Sequence, residues 1–177
     1  MKARHHSYWL MPCPDDHSLL QGIIKELAHR YDTPVFPPHL TLFAGPASPE
    51  GGASQILDTL QEKQIPESLV VTGLDATTHY TMTLFLRCQP VPELLALHDL
   101  IGKQAPPSEY LLDPHLSLLY ADLPLSTKQG LAHELALPLR KIRFDRIRIV
   151  GHPSPVESQE DIADFQDIAE REFHQDS

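Results

Sequence analysis

Asp113-Pro114-His115-Leu116-Ser117-Leu118-Leu119-Tyr120 decides how the chain reads, because a near-copy, Pro37-Pro38-His39-Leu40-Thr41-Leu42-Phe43, stands earlier in it. In both stretches apolar residues alternate with a histidine and, two positions on, a hydroxyl residue. A strand puts residues i and i+2 on one face, so each segment offers an imidazole and a hydroxyl side by side. Two such strands facing one another would surround one small space with two imidazoles and two hydroxyls. That grouping suits acid/base work on a phosphate ester.

The sequence around the two stretches also repeats. Cys13 and Cys88 are 75 residues apart, as are Leu19-Leu20 and Leu94-Leu95, and His39 and His115 are 76 apart. Each half reads strand, proline-rich turn, helix, loop, histidine strand. A steady offset across several features indicates two copies of one supersecondary unit. A pseudo-twofold arrangement of the copies would bring the histidine strands together.

In chain order, Ser7 to Met11 reads as a strand ended by Pro12. Leu20, Ile23, Ile24, Leu27 and Tyr31 recur at helical spacing and predict a helix from about His17 to His29, broken at Thr33-Pro34. The first histidine strand spans about Val35 to Ala44, with pairing delayed by Pro37-Pro38 until His39. Ser48-Pro49-Glu50 starts a helix carrying Ile56, Leu57 and Leu60. Ser68 to Leu74 and Thr78 to Arg87 read as two strands, and Pro92 opens a helix with Leu94, Leu97, His98 and Ile101 on one side. Ser126 and Gln129 fit a capping box. Lys141 to Val150 reads as a strand with a bulge near Asp145, and His152 to Glu160 as a loop. In the tail, Ile162, Phe165, Ile168, Ala169 and Phe173 follow a helical period.

The 177 residues fit one domain, with 41% hydrophobic and 21% charged residues as in ordinary globular chains. A net charge of −10 repels long polyanions, so a small or terminal phosphate ligand suits it better than a duplex. No apolar run approaches the roughly 20 residues of a bilayer span, and no signal-peptide core follows the N-terminus. The chain is expected to be cytoplasmic and monomeric, without a membrane partner. Cys13 and Cys88 lack any CxxC spacing and are read as free thiols.

Of the 11 histidines, His5, His6, His17, His29, His79, His98, His133, His152 and His174 share no motif and are read as packed or surface residues. No HExxH, Cys/His cluster or phosphate-binding glycine loop is present, so no metal or cofactor is expected. Ser117 lacks a GxSxG frame, and its expected role, like that of Thr41, is to hydrogen-bond a phosphoryl oxygen. Arg140, Lys141, Arg143, Arg146 and Arg148 could track a nucleic-acid backbone but read better as a solvated sheet edge. Trp9 and Tyr120 are candidates to stack on a base or ribose.

Pro38-His39-Leu40-Thr41-Leu42 and Pro114-His115-Leu116-Ser117-Leu118-Leu119-Tyr120-Ala121, with Tyr8-Trp9-Leu10-Met11-Pro12, resemble the two-histidine (2H) phosphoesterases. Within them the chain looks most like the plant and fungal cyclic phosphodiesterases. The resemblance implies an α+β, bilobal, pseudo-twofold fold with two antiparallel sheets around a central cleft and helices outside. It favours a strand in the tail. It also implies metal-free opening of ADP-ribose 1'',2''-cyclic phosphate or of nucleoside 2',3'-cyclic phosphates. His39 and His115 would be catalytic, Thr41 and Ser117 would hold the phosphate, and Trp9 and Tyr120 would line the substrate. The cysteines that plant enzymes carry before the second motif are missing from Gly102 to Glu109. Bacterial RNA 2',3'-cyclic phosphodiesterases, also called RNA-ligase-like, share both motifs, which keeps RNA 3' ends as an alternative substrate. A non-hydrolysing nucleotide-binding module is the other alternative.

Opening a cyclic phosphodiester with water needs one group to take a proton from water and another to protonate the departing oxygen. Histidine does either near neutrality. The first assignment is His115 as base and His39 as acid, and the near-equivalence of the motifs allows the reverse.

Overall fold

Strand β1 (Ala3–Pro12) sorts its side chains by alternation. Tyr8 and Leu10 enter the main core, while Trp9 and Met11 join a small apolar cluster with Val150 on the other face. The computed structural model describes residues 1–173, so His174 lies outside the described residues. From β1 the chain runs through α1 (Pro14–Tyr31), β2 (Leu40–Pro46), α2 (Gly52–Leu60), β3 (Ser68–Asp75) and β4 (Leu84–Cys88). It continues through α3 (Pro92–Gln104), β5 (His115–Leu119), α4 (Leu125–Glu134), β6 (Lys141–Ser154), α5 (Gln159–Ala163) and β7 (Gln166–Glu172).

The seven strands form one antiparallel sheet in the order β1-β2-β5-β4-β3-β6-β7. The two expected sheets are the halves of this one, β2, β1, β6 and β7 on one side and β5, β4 and β3 on the other. One joint is a single register pair, Leu40 with Leu116. The other is β6, whose first residues pair with β3 and whose remainder pairs with β1. The pairings therefore close a ring of six strands, with β7 attached outside it.

The helices are exchanged between the halves. Helix α1 links β1 to β2 but packs over β5, and α3 links β4 to β5 but packs over β2. Leu20, Ile24 and Leu27 of α1 and Leu94, Leu97 and Ile101 of α3 are buried at the spacings that predicted those helices. Each such side chain contributes about 1.5–3 kcal/mol through removal from water. This mutual cover locks the two copies of the unit together.

Several local expectations change. The strand expected from Thr78 begins only at Leu84, and a 3₁₀ turn occupies Tyr80–Met82. The Thr77 and Thr83 hydroxyls bond the carbonyls of Met82 and Tyr80, which offers the backbone an alternative to the ladder. The Ser126 capping box is not formed: Pro124 occupies the cap position of α4 and no side chain caps it. Strand β6 runs on to Ser154, through the expected loop, because it pairs with β1 as far as Ala3. In the tail a short helix is followed by a strand. The bulge near Asp145 is present, since Met11 pairs with Arg146 and Pro12 with Phe144. Strand β6 pairs with β1 and β7 at once and with β3 at its start, so the basic cluster lies on an inner strand and not on the expected sheet edge. Arg143, Arg146 and Arg148 lie within ion-pair distance of Asp16, Asp145 and Glu170. Both cysteines are free.

Candidate active site

The Leu40–Leu116 pair is the seam between the halves, and the residue before each leucine is a motif histidine. Pro38 and Pro114 have no N–H to give a ladder, so regular pairing starts after them. His39 Nδ1 lies 2.6 Å from the Pro37 carbonyl oxygen, and His115 Nδ1 lies 2.6 Å from that of Asp113. A carbonyl only accepts, so in each ring Nδ1 carries the hydrogen and Nε2 keeps a lone pair. Both imidazoles line one cavity of about 640 Å³, together with Thr41, Ser117, Trp9 and Tyr120. All six residues singled out in the sequence therefore meet in one place.

Paired bulges shape the cavity walls. Tyr8 pairs with Phe43 and Trp9 with Thr41, which skips Leu42; Leu84 pairs with Leu119 and Phe85 with Ser117, which skips Leu118. Leu42 and Leu118 are equivalent positions of the two motifs, so the repeat extends to its irregularities. A bulge re-aims the neighbouring side chains. Here it sets an aromatic beside each histidine. Trp9 stacks on His39, with ring centres 3.6 Å apart and planes at 12°, and Phe85 meets His115 edge-on at 5.3 Å.

This geometry adds ring contacts to two of the expected residues. One face of Trp9 is covered by His39, and the Tyr120 ring is stacked at 3.7 Å on Phe36. Both rings line the cavity while packing against these neighbours. The hydroxyls also differ from one another. Ser117 Oγ donates to the Thr81 carbonyl at 2.6 Å, whereas the Thr41 hydroxyl makes no hydrogen bond among the described residues. Ser117 thus turns lone pairs, not its proton, toward a ligand.

Burial lowers the proton affinity of both histidines. For His39, buried beside Trp9 and Phe36 at the cavity wall, it pulls the pKa down to about 3, outweighing the opposing bond to the Pro37 carbonyl. His115 is lowered too, again chiefly by burial, but the Asp113 backbone bond and the Asp113 carboxylate oppose it. That carboxylate is held 2.9 Å from Arg87. The two imidazoles are alike in tautomer and unlike in charge environment.

The cavity also recruits residues that no motif marks. His152 and His79, read from the sequence as packed or surface residues, line it, as do Ser7 and Phe165. His152 is hidden from a sequence reading that ends β6 before it. The 76-residue offset does contain a usable signal for Phe85, since it maps Trp9 onto that position.

The family model described as cyclic phosphodiesterase-like protein matches residues 5–137, a span that includes both histidine strands. Compared with curated proteins, the sequence has no match. Among solved structures, the chain resembles Escherichia coli LigT complexed with phosphate, at 14% identity and TM-score 0.57, over 99% of this chain and 100% of that one. The TT0787 protein of Thermus thermophilus superposes at 14% identity and TM-score 0.61, over 96% of this chain and 97% of that one. Usb1 of Kluyveromyces marxianus does so at 12% identity and TM-score 0.52, over 84% and 93%. These similarities establish the shared fold. With its doubled histidine motif, its matching sheet and three quarters of its length covered by the family model, the chain belongs to the cyclic phosphodiesterase-like family of the two-histidine (2H) phosphoesterases.

Proposed function

We propose that the protein is a phosphodiesterase that opens small cyclic phosphates, nucleoside 2',3'-cyclic phosphates foremost, by two-histidine acid/base catalysis. The observation that carries this reading is the pair of imidazoles with the same tautomer, each held by the carbonyl two residues upstream and both opening on one cavity. One ring must accept a proton from water while the other supplies one to the departing sugar oxygen.

The charge environments favour His39 as base and His115 as acid, the reverse of the first assignment. Burial keeps His39 neutral, and a neutral Nε2 can take a proton. His115 keeps the better hold on a proton because the bond to the Asp113 carbonyl and the charge of the Asp113 carboxylate both oppose the effect of burial. As water attacks phosphorus, its proton passes to His39 Nε2. The bond from phosphorus to the ring oxygen breaks, and His115 Nε2 protonates that oxygen. Thr41 Oγ is free to donate to a phosphoryl oxygen as charge moves onto it.

No Lys or Arg is among the described residues lining the cavity, whereas Asp122 and Glu157 are. Such a lining suits a singly charged cyclic diester better than ADP-ribose 1'',2''-cyclic phosphate, with its added pyrophosphate, or an RNA end. The test is a panel of mononucleoside 2',3'-cyclic phosphates, ADP-ribose cyclic phosphate and RNA ending in a cyclic phosphate, each with and without chelator. Fastest turnover of the mononucleosides, unchanged by chelator, is expected. Tight binding without turnover, or activity abolished by chelator, would overturn the reading.

A further inference from the structure

Ser7 and His152 form a second polar pair on the cavity wall, apart from the two motif histidines. His152 Nδ1 lies 2.8 Å from the Pro153 carbonyl, so it carries the ring hydrogen and Nε2 can only accept. Ser7 Oγ, 2.7 Å from that Nε2, must therefore be the donor. With its proton committed, Ser7 turns only lone pairs toward the cavity. Both residues are buried from bulk water yet line the cavity, so a ligand is the partner those lone pairs can meet. Phe165 sits against both walls of this arm, 5.7 Å from the Trp9 ring and 5.7 Å from the His152 ring. Glu157 also lines the cavity, with its carboxylate 3.3 Å from the Lys2 ammonium.

We infer that the Ser7–His152 arm is a subsite for the uncharged part of the substrate, accepting an N–H or O–H donor from its base or sugar and rejecting a second phosphate. This rests on the proposed cyclic-phosphate substrate, whose phosphate occupies the space between His39 and His115. Along the wall, Trp9 joins the two regions: it stacks on His39 and touches Phe165. A phosphoryl oxygen placed against Ser7 and His152 would face acceptors only. A nucleobase amine, a ring N–H or a sugar hydroxyl would find them complementary, with an aromatic ring alongside.

Calorimetric titration tests this without relying on turnover. Wild type, S7A and S7T would be titrated with adenosine 2'-monophosphate, ribose 5-phosphate, adenosine 2',5'-bisphosphate and inorganic phosphate. In S7A the ratio of affinity for adenosine 2'-monophosphate over that for inorganic phosphate falls about tenfold, the size of one hydrogen bond near 1.4 kcal/mol. S7T, which keeps the hydroxyl, restores it. A parallel fall for ribose 5-phosphate assigns the donor to the sugar; a fall for the nucleotide alone assigns it to the base. An unchanged ratio in S7A, or wild-type binding strengthened by the second phosphate, overturns the inference. If the wild type binds as expected but hydrolyses no cyclic phosphate, the proposed reaction fails and the subsite stands.

Discussion

Leu40 and Leu116, equivalent residues of the two histidine motifs, are register partners across the only joint between β2 and β5 among the described residues. A pair of equivalent positions facing each other is what a local twofold axis produces. The residue before each leucine is therefore carried to the same seam, and His39 and His115 line one cavity for that reason. Alanine at either histidine is expected to lower kcat by about a thousandfold, within the 10²–10⁴ range of a lost general acid or base. The double variant should lose little more, because the two act in a single step. Steady-state kinetics on a nucleoside 2',3'-cyclic phosphate check this, and activity retained in H39A would sink the two-histidine reading.

Asp113 offers a way to tell acid from base. Its carbonyl holds His115 Nδ1, and its carboxylate, ion-paired with Arg87, raises the proton affinity that burial lowers. In D113N the carbonyl remains and the charge is lost, so the His115 pKa falls further below the ordinary histidine value. An acid must be protonated to act, and the limb lost on raising pH belongs to it. The alkaline limb of kcat/KM should therefore move to lower pH in D113N. If the acidic limb moved instead, His115 would be the base.

The histidine strands, the major helices and the bulge at Asp145 are legible in the sequence because periodicity and proline punctuation report local geometry directly. The joining of the half-sheets is not, since it depends on one leucine pair and on how far β6 runs. The same long-range pairing hides His152, which reads as a loop residue until β1 is seen to pair with it from His5. Site membership of Thr41 and Ser117 follows from strand parity. The difference between them does not, because Ser117 is engaged by a carbonyl from the Thr78–Thr83 turn, where side-chain bonds to the backbone displace an expected strand.

Burial of neutral His39 links stability to pH. In the unfolded chain an imidazole binds its proton near 6.5, but in the fold His39 does so only at about 3. The unfolded state therefore holds more protons between these values. The contribution is complete above about pH 6.5 and declines as pH falls toward 3, by up to about 1.4 kcal/mol per unit. His115 and His152, lowered in the same direction, add to the slope. Urea midpoints between pH 7 and 4 should fall more steeply for wild type than for H39Q. Equal slopes would mean that His39 is not held neutral.

Thr41 and Ser117 occupy matching positions but should not matter equally. The Thr41 hydroxyl has no partner among the described residues and can donate to a phosphoryl oxygen at once, whereas Ser117 has its proton on the Thr81 carbonyl at 2.6 Å. To serve the phosphate, Ser117 must first give up that bond, which offsets much of what it gains. A donor that meets developing charge in a dry site is worth about 3 kcal/mol, or roughly a hundredfold in rate. T41A is thus expected to lose about a hundredfold in kcat, and S117A closer to tenfold. S117A should also loosen the Thr78–Thr83 turn, since the Thr81 carbonyl loses its donor, and this should show as faster amide exchange there. Equal kinetic losses, with the turn undisturbed in S117A, would show that Ser117 leaves Thr81 for the substrate without cost.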